Sequence, residues 1–195
     1  MDATESLAVV RAWRKAKRAE LLKARSGLMP ETYQKYSRKV NQCLIDNVRD
    51  LCSGTVGLYW PFRGEIDLLP FANKVYEWGG SIALPVVVGK GQPLEFRRWK
   101  VGDDLQEGVL GIPFPAHGAK VEPSTFVIPV VAFDREFFRL GYGAGYYDRT
   151  LGVAPHRPTA IGVGFELSRV ETIYPQAHDV PMDMIVTELG LQRRS

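Results

Sequence analysis

The sequence predicts an α/β fold, an open sheet flanked by helices in a single domain spanning residues 1–195, with a basic helix at its N-terminus. Three observations carry this. The chain opens with a long segment of helix-forming residues free of Gly and Pro from Met1 to Ser26. Later it holds β-branched runs, "TFVIPVVAFD" and "PTAIGVGF", of the kind buried on both faces of a sheet. Strands and helices alternate through the middle, which gives an α/β sheet with right-handed crossovers.

Taken in order, the first helix places Leu7, Arg11, Arg14, Arg18, Leu21, Leu22 and Arg25 within roughly one 100° stripe. Arginines sharing an apolar face either lay their stems over apolar surface with the heads in water, or close the face over an anion. "LMPETYQKYSRKVNQCLIDNVRDLCSG" reads as a second helix, with Pro30 near its first turn and Gly54 just beyond its end. "TVGLYW" is a strand and "EIDLLPFANKVYEWGG" a helix stopped by a glycine pair; "SIALPVVV" and "LEFRRW" are strands, followed by a turn-rich stretch from Gly102 to Pro123. "YYDRTL" is expected to be a short helix.

Composition narrows the classes. The 195 residues are 45% hydrophobic and 24% charged, an ordinary globular balance. The longest nearly continuous apolar run, Phe126 to Phe133, is too short for a membrane span and contains Pro129. Acids precede bases at the N-terminus, the reverse of a signal peptide, so a soluble cytoplasmic protein is expected. Cys43 and Cys52 have no metal-site spacing and read as free thiols. Residues 1–40 hold ten Lys and Arg against four acids, which suits an anionic ligand or nucleic acid.

One stretch carries chemistry. "RLGYGAGYYDRTL", Arg139 to Leu151, spaces three glycines two apart and follows them with Tyr146, Tyr147 and Asp148. It is neither a Walker loop nor the dinucleotide fingerprint. Taken alone it could be a tight turn. Glycines let amides approach an anion, tyrosines flank something flat, and Asp148 can hold a cation. His117, His156 and His178 are scattered, and no nucleophile motif occurs.

"RGEID", "VAFD", "RLGYGAGYYDRTL" and "HDVPMDMIVTE", in that order after a basic helix, resemble the 5-formyltetrahydrofolate cyclo-ligase family over nearly the whole chain. The resemblance implies ATP- and Mg²⁺-dependent conversion of 5-formyltetrahydrofolate to 5,10-methenyltetrahydrofolate, with small-molecule substrates and no nucleic-acid or membrane partner. A monomer is expected. The resemblance puts ATP on Arg14, Lys15, Arg18, Arg139, Gly141, Tyr142, Gly143, Ala144, Gly145, Tyr146 and Tyr147. Catalytic roles fall on Arg139, Tyr146 and Tyr147, and folate contacts on Trp60, Glu65 and Tyr146. Metal ligation falls on Asp148 and Asp183. Two departures stand out: Ala144 where many members have Gly or Lys, and Glu136, Phe137 and Phe138 in a turn where many have a Gly.

Two rival classes remain. A paralogue with the same fold could act on another substrate. A nucleic-acid-binding module could use the basic helix, but no platform of interleaved aromatics follows it.

Overall fold

The computed structural model describes residues 3–194. Two helices come first, α1 (Ala3–Ser26) and α2 (Pro30–Asn47). The second ends seven residues before Gly54. There Asn47 turns its side-chain amide back onto the carbonyl of Cys43 at 2.8 Å, and Val48, whose N–H still donates to the Leu44 carbonyl at 3.0 Å, leaves the helical region. Strand β1 (Thr55–Gly57) is shorter than "TVGLYW", and helix α3 (Leu69–Glu77) carries Pro70 in its first turn, where the missing N–H costs nothing.

Strands β2 (Ser81–Val86) and β3 (Glu95–Trp99) match the predicted runs. The stretch read only as turns also contains β4 (Leu105–Glu107), β5 (Pro113–Pro115) and β6 (Lys120–Val121). The run "TFVIPVVAFD" divides into β7 (Thr125–Pro129) and β8 (Ala132–Phe133), the latter pairing with β9 (Arg139–Leu140). Pro129, which brings no N–H to a ladder, closes β7. Helix α4 (Tyr146–Val153) and β10 (Thr159–Val163) follow. A hairpin of β11 (Met184–Thr187) and β12 (Gly190–Arg193), which the sequence reading did not identify, ends the described chain.

Eight strands form one sheet in the order β12-β11-β10-β7-β1-β2-β3-β6. The five central strands, β11 to β2 in that order, run parallel. Side chains of β7 alternate between its faces. Val127 joins Val40, Leu44, Phe71 and Val75 beneath α2 and α3, while Phe126 and Ile128 pack on the other side with Tyr147 and Leu151 of α4.

The topology also says where a ligand belongs. From β1 the chain proceeds to β2 on one side and later to β7 on the other, so a crevice opens at the carboxyl ends of β1 and β7. Both cysteines are free, and burial pushes the Cys52 thiol up to about 12. No helix among the described residues is long and apolar enough to cross a membrane.

Candidate active site

A cavity of about 910 Å³ lies at those carboxyl ends. Its walls come from α1, the segment after β1, the loop from Gly108 to Phe114, the glycine-rich loop and residues 176–179. A volume of this size suits two sizeable ligands or one large one.

The glycine-rich loop forms an anion cradle. Gly143 (φ 103°) and Gly145 (φ 67°) hold left-handed conformations that favour glycine. A side chain at Gly145 would also meet the Arg149 guanidinium, with Cβ 2.9 Å from its Nη1. The winding leaves the amides from Gly143 to Asp148 without a protein acceptor among the described residues, at the N-terminus of α4. Unpaired amides at a helix start attract negative charge. Arg18 reaches in from α1, donating Nε–H to the carbonyl of Gly141 at 2.7 Å and setting its guanidinium carbon 3.5 Å from where a Gly143 Cβ would stand. Burial, and then Arg14 nearby, lower the Arg18 pKa. A partly desolvated cation beside free amides is a site short of an anion.

At the other side of the cavity stands Glu65, which is only 5% exposed. Its backbone carbonyl accepts from Tyr33 Oη–H at 2.7 Å, and the next carbonyl, of Ile66, accepts from Tyr59 Oη–H at 2.9 Å. These bonds fix the strand exit that carries it. Its carboxylate accepts the Phe62 N–H and the Tyr142 hydroxyl, each at 2.9 Å. Burial pushes its pKa up to about 7, against the downward pull of Arg25 and of those two hydrogen bonds. Trp60 lies edge-on to Trp99 with centroids 5.9 Å apart, presenting apolar surface to the cavity. The Tyr147 hydroxyl is buried with no hydrogen-bond partner among the described residues.

Comparisons with known proteins come to one answer. Residues 10–188 match the model of the 5-formyltetrahydrofolate cyclo-ligase family. The chain belongs to that family. It is therefore an enzyme, a ligase of folate one-carbon metabolism. The 5-formyltetrahydrofolate cyclo-ligase of Escherichia coli is 29% identical over 171 residues, 84% of this chain and 93% of that protein. The solved 5,10-methenyltetrahydrofolate synthetase of Aquifex aeolicus superposes with a TM-score of 0.80 at 33% identity, covering 92% of each chain. The Mycoplasma pneumoniae synthetase, at 24% identity and a TM-score of 0.74 over 90% of this chain and 98% of its own, shares the fold.

Against this cyclo-ligase geometry, most residues singled out from sequence line the cavity: Arg14, Arg18, Trp60, Glu65 and Arg139, with Gly141 through Asp148. Three do not behave as expected. Lys15 is exposed and outside the cavity wall, because α1 turns that face to solvent. Arg14 reaches the wall, but its guanidinium pairs with Asp179 and donates to the carbonyls of Ile173, at 3.0 Å, and Tyr174, at 2.9 Å. Burial works against the Asp179 carboxylate, yet Arg14 and the Gln176 N–H outweigh it and hold its pKa below the ordinary value. Asp183 sits at the amino end of β11, away from the cavity, where it accepts the Ala160 N–H at 2.8 Å and pairs with Arg157 at 2.7 Å.

Asp148 does line the cavity. Its Oδ1 accepts from Arg139 Nη1 and from the Val180 N–H, both at 3.1 Å, and its Oδ2 has no partner among the described residues. The unusual turn also resolves. Phe137 takes the left-handed conformation (φ 68°) that glycine would adopt, held because the Asp134 carboxylate accepts the N–H groups of Glu136 and Phe138. Arg25 and Asp179 went unassigned from sequence. The arginine stripe that contains Arg25 was its signal, but its partner is 117 residues distant.

Proposed function

We propose that this chain uses ATP to close 5-formyltetrahydrofolate into 5,10-methenyltetrahydrofolate, releasing ADP and phosphate. One observation carries the reading: an amide cradle flanked by Arg18 and a buried carboxylate, Glu65, open into the same cavity. The cradle suits the polyphosphate, and Glu65 as the anion suits the N–H donors along the edge of a pterin. Trp60, Tyr146 and Tyr147 supply flat walls for the ring.

A formamide carbon is a poor electrophile with no good leaving group, so its oxygen must first be converted. The formyl oxygen bonds to the γ-phosphorus of ATP as the bond to the β,γ-bridging oxygen breaks, and ADP leaves with that electron pair. N10 then bonds to the formyl carbon and gives up its proton to the departing phosphate. Transfer of this kind asks a protein for positioning and charge neutralisation rather than a nucleophile. Arg18, Arg139 and the loop amides provide both.

Asp148, which lines the cavity beside the cradle and whose Oδ2 has no partner among the described residues, would hold Mg²⁺, a hard cation suited to carboxylate oxygen. When bound, the ion neutralises charge on the transferred phosphoryl group. Asp183, tied to Arg157 and Ala160 outside the cavity, is not part of this proposal.

The test is absorbance of the methenyl product from 5-formyltetrahydrofolate, with ATP and Mg²⁺ present together and each omitted in turn. Product only with both supports the reading. No product with both present refutes it and favours a paralogue with another substrate.

A further inference from the structure

Tyr142 is the second residue of the glycine-rich loop, yet its side chain leaves the phosphate cradle and crosses the cavity. Its hydroxyl donates to Glu65 Oε1 at 2.9 Å and accepts from Arg25 Nη2 at 2.6 Å. Its ring packs against Phe62 with centroids 5.8 Å apart, and the Arg25 guanidinium carbon stands 5.9 Å over the same ring. Arg25 is itself anchored, with Nε–H donating to the carbonyl of Arg63 at 3.0 Å, and is 5% exposed. One phenol thus joins the end of α1, the segment after β1 and the glycine-rich loop.

None of these bonds supplies a donor to the cradle, whose amides belong to the backbone; they tie the loop that presents those amides. Between its tethers the loop is otherwise free: no backbone amide from Gly141 to Asp148 donates within the protein among the described residues. The Arg18 bond to Gly141 and the Tyr142 hydroxyl are the side-chain ties that reach its first half.

Resting on the cyclo-ligase reading, we propose that Tyr142 is a positioning residue that couples the two substrate half-sites, so that folate bound at Glu65 tightens ATP in the cradle and ATP tightens folate. The physical cause is the acceptor they share. Donors from the pterin require Glu65 as the anion, and an anionic oxygen accepts the Tyr142 hydroxyl more strongly than a protonated one. The stronger bond holds the loop in its cradle form. Conversely, phosphate in the cradle fixes the loop, and the fixed hydroxyl favours the Glu65 anion that the pterin needs. With burial having pushed Glu65 up to about 7, both protonation states are populated near neutrality, and each ligand can shift the balance. By linkage the two effects are equal in size.

The test measures calorimetric affinity of a non-hydrolysable ATP analogue with Mg²⁺, with and without saturating 5-formyltetrahydrofolate, for the wild-type chain and Tyr142→Phe. The variant keeps the loop amide and the ring and loses only the hydroxyl; a thermal melt confirms that it is folded. At pH 6, where most of the free chain holds Glu65 protonated and the gain can approach about tenfold, the expected result is that folate tightens the analogue by about threefold or more in the wild type and by less than about twofold in the variant. A purely structural role would weaken each ligand alone and leave the ratio unchanged. An equal ratio in both proteins, a wild-type ratio of one, or weakening of the analogue by folate each overturns the coupling and leaves the cyclo-ligase reading standing. A wild-type chain that binds no 5-formyltetrahydrofolate overturns both.

Discussion

Glu65→Gln separates a working carboxylate from a merely buried one, because the structure ties two independent quantities to it. The first is stability. Its carboxyl is 5% exposed with a pKa pushed up to about 7, against an ordinary value of 4.5. The folded chain therefore holds this proton more tightly than the unfolded chain. Stability from this group is fully present below about 4.5, falls as pH rises toward 7, and is level above that. At about 1.4 kcal/mol per pKa unit, the Glu65 chain loses about 2–3 kcal/mol relative to the Gln variant between pH 5 and pH 8. Urea denaturation of both proteins at the two pH values measures this difference, and comparing the change with pH removes the pH-independent packing cost of the amide.

The second quantity is recognition. Gln offers one acceptor in place of two and turns an NH₂ toward the pterin donors. Losing a charge-assisted pair in a dry pocket costs about 1.5–3 kcal/mol, or roughly 10- to 150-fold in kcat/KM for the folate. Affinity for the ATP analogue without folate should fall far less than kcat/KM for the folate, since the cradle amides belong to the backbone and Glu65 reaches the loop only through the Tyr142 hydroxyl. In the wild type, kcat/KM for the folate should rise with pH through about 7 as the anion forms, and that step should vanish in the variant. A stability difference that does not change with pH refutes the desolvated carboxylate. A folate kcat/KM within twofold of wild type refutes its role.

Arg18→Ala should raise KM for ATP more than KM for folate, because its guanidinium faces the cradle; equal effects in steady-state kinetics would point to lost helix packing. Arg14→Ala should instead lower stability by about 1–3 kcal/mol, read as a fall in the urea midpoint, because it leaves the half-buried Asp179 carboxylate without its cation; an unchanged midpoint would return Arg14 to the phosphate site. Asp148→Asn should demand more Mg²⁺ for half-maximal rate, an amide being a poorer ligand for a hard cation, and an unshifted magnesium titration counts against that assignment. Gly145→Ala should weaken the ATP analogue several-fold through the φ of 67° and the Arg149 contact, while an unchanged affinity in calorimetry would show that the loop can rearrange without cost.

The amino-acid sequence alone determined the four helices, the strands β1, β2, β3, β7 and β10, the glycine-rich loop, and the family resemblance. Each of these is local: periodicity, β-branched runs and glycine spacing act over a few residues, and the motifs keep their order along the chain. The end of α2 moved because Val48 leaves the helical region there, and the strand β11 went unread because it is placed in the sheet by β10, more than twenty residues earlier, with β12 pairing only onto β11. The partners of the charged residues were decided only by tertiary structure. Arg14 and Arg18 are four apart on one helix, yet the first meets Asp179, 165 residues on, and the second meets the glycine-rich loop, 123 residues on. Asp148 and Asp183 look alike as candidate ligands in the sequence, but one faces the cavity and the other the amino end of the sheet. The physical reason is that an ion pair or a cavity is a meeting of elements, and helix periodicity fixes which face a residue occupies but not what that face will touch.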